Sequence, residues 1–189
     1  MFIFGHIGLT IGLFLILLII FKKTDYLPEI DFRIIAVFAV LPDIFDKIIG
    51  NLIFGESLNN GRLFSHTLVF LAVFIIIFAM IMGSHWWIYS FPIITHQLFD
   101  TLWFDPYTWL WPIFGWSFKF KDVEVWEHWL TALLSDPFII FTEIFGAIIL
   151  VVVLYRFRLY KKKSFARLLS TGRLNEEYFK IIIKQKEQY

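Results

Sequence analysis

Six side chains carry most of the chemistry this sequence could perform: His6, Asp43, Asp46, His66, His96 and Asp100. Asp43 and Asp46 are three residues apart, and His96 and Asp100 are four apart, so on helices each pair leaves from one face. Aspartates gathered where water is scarce repel one another and take up protons unless a cation balances them, and a divalent metal does so. Imidazole and carboxylate donors without thiolate suit zinc first, with manganese, iron, cobalt or nickel as alternatives, and the chain has no cysteine. All six residues are read as metal ligands. Six donors exceed the needs of one tetrahedral ion, so the expectation is one or two ions.

The elements that must position these residues are membrane helices. The chain has 189 residues, of which 59% are hydrophobic, 21% aromatic and only 17% charged, too apolar a balance for an ordinary water-soluble domain. Five runs approach the roughly 20 residues that cross a bilayer core as helix: 2–21, 34–54, 64–82, 86–103 and 138–155. The expected fold is an all-α integral membrane bundle of about five transmembrane helices, with an interfacial helix and a basic C-terminal tail. Residues 1–159 form the membrane domain that carries the metal site, and 160–189 a juxtamembrane tail. The first run is long for a signal-peptide core and has no basic residue before it, so it is read as retained. Gly5, Gly8 and Gly12 give it a small-residue face on which another helix can approach closely.

Between the fourth and fifth runs, residues 104–137 are rich in Trp and Pro and read as an interfacial loop. It includes a short helix over 123–134, whose polar face accounts for Glu124 and His128. Beyond Arg156 the chain turns basic, and Asn175 is placed to cap a last helix over 175–188. This tail is expected to rest near anionic headgroups. The formal net charge is only +1, and nothing beyond the tail suggests nucleic-acid binding.

Lys and Arg near span ends stay on the cytoplasmic side. The side holding Lys22, Lys23, Arg33 and the tail has the large majority of them, which puts the N-terminus outside and the C-terminus in the cytoplasm. Alternating span direction then brings all six candidate ligands to one level in the outer half of the bundle, from four different helices. An ionised group near the bilayer centre costs about 2.5–3.5 kcal/mol on insertion scales, so such a gathering points to function. Pro42 is expected to loosen the second helix just before its carboxylates. Ser65 is read as an N-cap or a donor behind the ligands, and His85 as unrelated, on the opposite side.

In order, His6-Ile-Gly8, Leu41-Pro42-Asp43-Ile-Phe-Asp46, Arg62-Leu-Phe-Ser65-His66-Thr67, His96-Gln-Leu-Phe-Asp100 and Pro106-Tyr-Thr-Trp109-Leu-Trp111-Pro112 form a recognisable set. It resembles the LexA-binding, inner-membrane-associated hydrolases, also called membrane-bound metal-dependent hydrolases, over residues 1–115. The resemblance implies a metal-dependent hydrolase of the inner membrane. In that reading the metal acidifies water and polarises the substrate oxygen. Asp46 accepts or returns the proton, and the planar fork of Arg62 suits a phosphate or carboxylate. The substrate class expected is a phosphoester of a lipid or an envelope precursor, with membrane lipid as the other partner. A non-catalytic metal-binding adaptor or a transporter is the alternative. Transport is disfavoured because the spans are almost wholly apolar below the cluster.

Overall fold

Continuous apolar helices hide their backbone amides from lipid, and that requirement sets the architecture. The computed structural model describes residues 1–120 and 125–175. These are helices and their connections, with no strand among them. Helix α1 is Ile3–Ile20, α2 Phe32–Lys47, α3 Leu68–Met82 and α4 Trp86–Phe99. They are followed by the single turn α5 (Pro106–Trp109), α6 (Val125–Ser135), α7 (Pro137–Arg156) and α8 (Lys162–Thr171). The expected Glu124 and the helix over 175–188 fall outside the described residues, as does the His128 side chain.

Each long helix starts on a local signal. Asp31 caps α2 by accepting from the Arg33 amide at 2.9 Å, and Thr67 caps α3 by accepting from Phe70 at 3.0 Å. Asp136 accepts from Phe138 and Ile139 ahead of α7, with Pro137 at the first helical position, where its missing N–H costs nothing. Helix α2 includes Pro42, extends to Lys47 and continues as a wider π-helical turn over Ile48–Ile53.

Among the described residues, three stretches are long and apolar enough to cross a membrane: Ile3–Ile20, Leu68–Phe99 and Pro137–Arg156. That is fewer than the five runs expected from the sequence, for two physical reasons. Helix α2 is only 16 residues long and carries Arg33, Asp43, Asp46 and Lys47, too short and too charged for a plain apolar span. The 32-residue stretch Leu68–Phe99 folds back on itself at Gly83, whose φ of +55° suits glycine. Its arms α3 and α4 run antiparallel: Phe78 meets Tyr89 near the bend, and Gln97 donates to Thr67 O at 3.0 Å at the far end.

Helix α1 is the centre of the bundle and packs on α2, α4 and α7. Its glycine face meets α7, where a Cβ on Gly8 would collide with the Gly146 backbone and one on Gly146 with Phe4 and Gly5. Below the level of the candidate ligands the interior is apolar apart from the hydroxyls of Thr10, Ser90 and Thr95: Phe14, Leu18, Ile35, Ile88 and Phe157 are all buried. Helix α3 lies outermost and buries no residue. Helix α8 docks on the start of α2, where Phe32 N donates to Gly172 O at 2.8 Å and Arg33 Nη1 to Leu169 O at 2.6 Å. The Arg33 guanidinium hydrogen-bonds Asp31 and holds its carboxyl below the ordinary carboxylate range.

Candidate metal centre

The centre is built from the start of α1, the ends of α2 and α4 and the irregular turn before α3. His66 sits on a short 3-10 turn, Phe64–His66, held in place by Asp46 of α2. Asp46 Oδ2 accepts from Leu63 N at 2.5 Å and His66 Nδ1 at 2.7 Å, and Oδ1 accepts from Ser65 N at 3.1 Å. Ser65 Oγ donates to Pro42 O at 2.8 Å, so Ser65 ties this turn to α2 while Thr67 serves as the helix cap. On α4, His96 Nδ1 lies 2.8 Å from Ala39 O. A carbonyl can only accept, so Nδ1 carries the proton there and Nε2 presents its lone pair.

The two Nε2 atoms of His66 and His96 then face each other at 3.2 Å. His66 Nδ1–H donates to Asp46 as His96 Nδ1–H donates to Ala39 O, so both rings turn Nε2 into one small space, at a separation bridged by one proton. Asp43 Oδ1 and Asp100 Oδ2 each stand 3.6 Å from His66 Nε2. Asp43, His66, His96 and Asp100 are all buried, and one donor atom from each lies within 4.8 Å of all the others. This donor set could hold a divalent ion, which would take the place of the proton between the two Nε2 atoms.

His6 of α1 borders this group. Its ring stacks on His96 with centroids 4.1 Å apart, and its Nε2 is 3.2 Å from Asp100 Oδ1 and 3.8 Å from Asp43 Oδ2. Neither ring nitrogen makes a well-formed hydrogen bond, although the side chain is fully buried. A buried imidazole in that condition has donor capacity to spare for a ligand. Asp46 stands behind His66, outside the four-residue group, with its oxygens committed to three donors. Arg62 lies at the rim, with Nη2 3.1 Å from Asp100 Oδ2 and 3.3 Å from Asp100 O.

Several contributors are not among the residues singled out from the sequence. Lys47 Nζ is 2.8 Å from Asp43 Oδ2, an i,i+4 pair visible in the sequence once α2 is drawn as a helix. The Met1 amino group is 2.8 Å from Asp100 Oδ1. Glu143 of α7 accepts from the amides of Phe2, Phe4 and Gly5 at 2.8–3.0 Å, capping α1 from another helix and fixing the turn that carries His6. It is the one acidic residue in an otherwise apolar run, which is itself a signal. His85 pairs with Glu29 at 3.2 Å, at the opposite end of α4 from the centre.

Residues 1–165 match the family described as YdjM inner membrane protein. The chain belongs to that family. The match takes in α1 to α7 and every residue of the centre, Glu143 included, and with the apolar helices it supports a membrane location. Neither a curated protein nor a solved structure matches the chain.

Proposed function

We propose that this chain is a metal-dependent hydrolase of the inner membrane, acting on a phosphoester of a lipid or an envelope precursor at the outer face. The observation that carries the reading is the buried pair of opposed imidazole nitrogens flanked by Asp43 and Asp100, with Arg62 at the rim. Asp43, His66, His96 and Asp100 would hold one divalent ion, zinc before manganese, iron, cobalt or nickel, with His6 at its edge. Such an ion supplies Lewis acidity and an acidified water.

The chain's own residues do the rest. Asp46 accepts the hydrogen bond from His66 Nδ1–H and so fixes the ring with Nε2 turned to the site. The guanidinium of Arg62 is a planar donor for a phosphate oxygen. Thr10 and Thr95, hydrogen-bonded to each other at 2.9 Å, close the floor, and beneath them Phe14, Leu18 and Ile88 line an interior whose buried polar group on α4 is the Ser90 hydroxyl. That floor favours surface hydrolysis over transport.

In this reading the chain crosses the membrane five times, with α2 and both arms of the α3–α4 hairpin counted as crossings. The N-terminus and the centre lie outside. Residues 160–189 form the cytoplasmic tail, with the basic face of α8 on the headgroups.

The test is elemental analysis of washed, purified protein beside an Asp43→Asn, His96→Ala double variant, followed by turnover of lipid phosphomonoesters and phosphodiesters in detergent. The expected result is about one metal per chain in the wild type, near none in the double variant, and metal-dependent ester cleavage. Equal metal in both proteins would remove the site. Metal without hydrolysis of any ester or amide would instead favour the adaptor.

A further inference from the structure

Two cations at the rim hold the same carboxylates that a metal would need. Asp43 Oδ2 receives Lys47 Nζ at 2.8 Å, while the other oxygen of that carboxylate faces His66 Nε2. Asp100 Oδ2, itself 3.6 Å from His66 Nε2, is the oxygen held by Arg62 at 3.1 Å. These cations are also where the cluster reaches solvent. The Lys47 and Arg62 side chains are 27% and 32% exposed, against 12% or less for the histidines and aspartates between them. Lys47 is kept at the mouth by the ring faces of Phe2 and Trp129, 5.7 and 5.2 Å from its ammonium.

We propose that Lys47 and Arg62 are exchangeable counter-cations: a divalent ion that takes over Asp43 and Asp100 releases both, and the released pair receives a phosphate group. The inference rests on the metal reading above and adds Lys47 to it as a binding residue. With the Met1 amino group left on Asp100 Oδ1, the exchange conserves charge at the carboxylates, because one divalent ion replaces the Lys47 and Arg62 cations. It frees an ammonium and a guanidinium at the opening, matched in charge to a phosphomonoester dianion. Metal and phosphate therefore bind with positive coupling, and by linkage each tightens the other by the same factor. Lys47 thus opposes metal binding when phosphate is absent and favours it when phosphate is present.

The coupling is read from zinc affinity, by competition with a chromophoric chelator, on the full chain in detergent. Three conditions are compared: no added anion, inorganic phosphate, and short-chain phosphatidic acid in the micelle. Wild-type zinc affinity should rise about tenfold with a phosphate source. Tightening by phosphatidic acid alone assigns a lipid headgroup, and tightening by inorganic phosphate assigns a free phosphate group. Lys47→Met should bind zinc at least as tightly as wild type without phosphate and lose most of the rise. Arg62→Gln should follow the same pattern, and Lys47→Arg should keep the coupling. Weaker zinc binding by Lys47→Met without phosphate, or an undiminished phosphate effect in Lys47→Met and Arg62→Gln, would overturn the exchange while sparing the metal site. Failure of the wild type to take up zinc would remove the metal reading and the exchange with it.

Discussion

Replacing Asp46 by Asn separates a residue that orients a ligand from one that is a ligand. The carboxylate serves three donors, Leu63 N, Ser65 N and His66 Nδ1, with two oxygens. Asparagine keeps one acceptor oxygen and turns the other position into a donor, so at least one of the three donors faces an NH2 group. The charge-assisted bond to His66 is lost, at about 1.5–3 kcal/mol, and a stranded buried donor adds about 1–3 kcal/mol. Most of this loss falls on the folded protein. The part felt by the centre is the freedom of His66 to rotate or change tautomer, which for partners standing behind metal ligands costs about 10–100-fold in affinity. Chelator competition should therefore give Asp46→Asn a zinc affinity about 1.4–2.8 kcal/mol weaker than wild type at unchanged stoichiometry. Two results would refute the reasoning. An unchanged affinity would mean that Asp46 does not hold His66, and a loss as complete as that of Asp43→Asn would make Asp46 a ligand in its own right.

Other contacts give further expectations. Gly146→Ala places a methyl group against Phe4 and Gly5 and should push α1 off α7, lowering stability in detergent by about 1–3 kcal/mol, as read from a denaturation midpoint. Glu143→Ala strands the amides of Phe2, Phe4 and Gly5 and should cost about 2–4 kcal/mol, with Glu143→Gln recovering part; equal stability of the Ala and Gln variants would count against the cap. At Gly172, φ is +72° and a Cβ would strike the Asp31 carboxylate, so Gly172→Ala should release α8 and raise protease cleavage near Thr171 without altering metal content. Because the Asp31 carboxyl is held below its ordinary range, its share of the α8 dock is complete at neutral pH and is lost as pH falls through its folded value. The same cleavage assay on the wild type, run at descending pH, should show release only on the acid side of the ordinary carboxylate range.

The helices and the level of the cluster were legible because they rest on local quantities. Apolar run length fixed α1 and α7 to within two residues at either end, and alternating direction brought His6, Asp43, His66, His96 and Asp100 into one place. The glycine face of α1 was legible too, but not its partner, since Gly146 and Glu143 lie more than 130 residues away in sequence and nothing local pairs them with Gly8 and Gly5. The division of labour between Asp43 and Asp46 was also hidden. Three residues apart, they share a helix face, and only the path of the turn around Leu63 and Ser65 decides which one is enclosed by backbone amides. The third helix begins four residues later than its apolar run, because the chain from Phe64 to His66 is bent to deliver His66 rather than to continue α3. The span count differed where composition and topology part: charge on α2 breaks the apolar criterion, and a glycine bend turns one long stretch into two arms.

Those two arms are short. Helix α3 has 15 residues and α4 has 14, about 22 and 21 Å at 1.5 Å per residue, against a hydrocarbon core of about 30 Å. The outer arm shows lipid an unbroken apolar flank, with Val69, Val73, Ile76, Ile77, Met80 and Ile81 all exposed. A bilayer crossed by such a pair relieves the mismatch by thinning beside it. Where both arms cross, as proposed above, the headgroup plane is drawn toward their ends, and one of those ends carries His66 and His96. On this flank a lipid phosphate would meet the centre by the sag of its own leaflet, without having to be lifted out of the membrane.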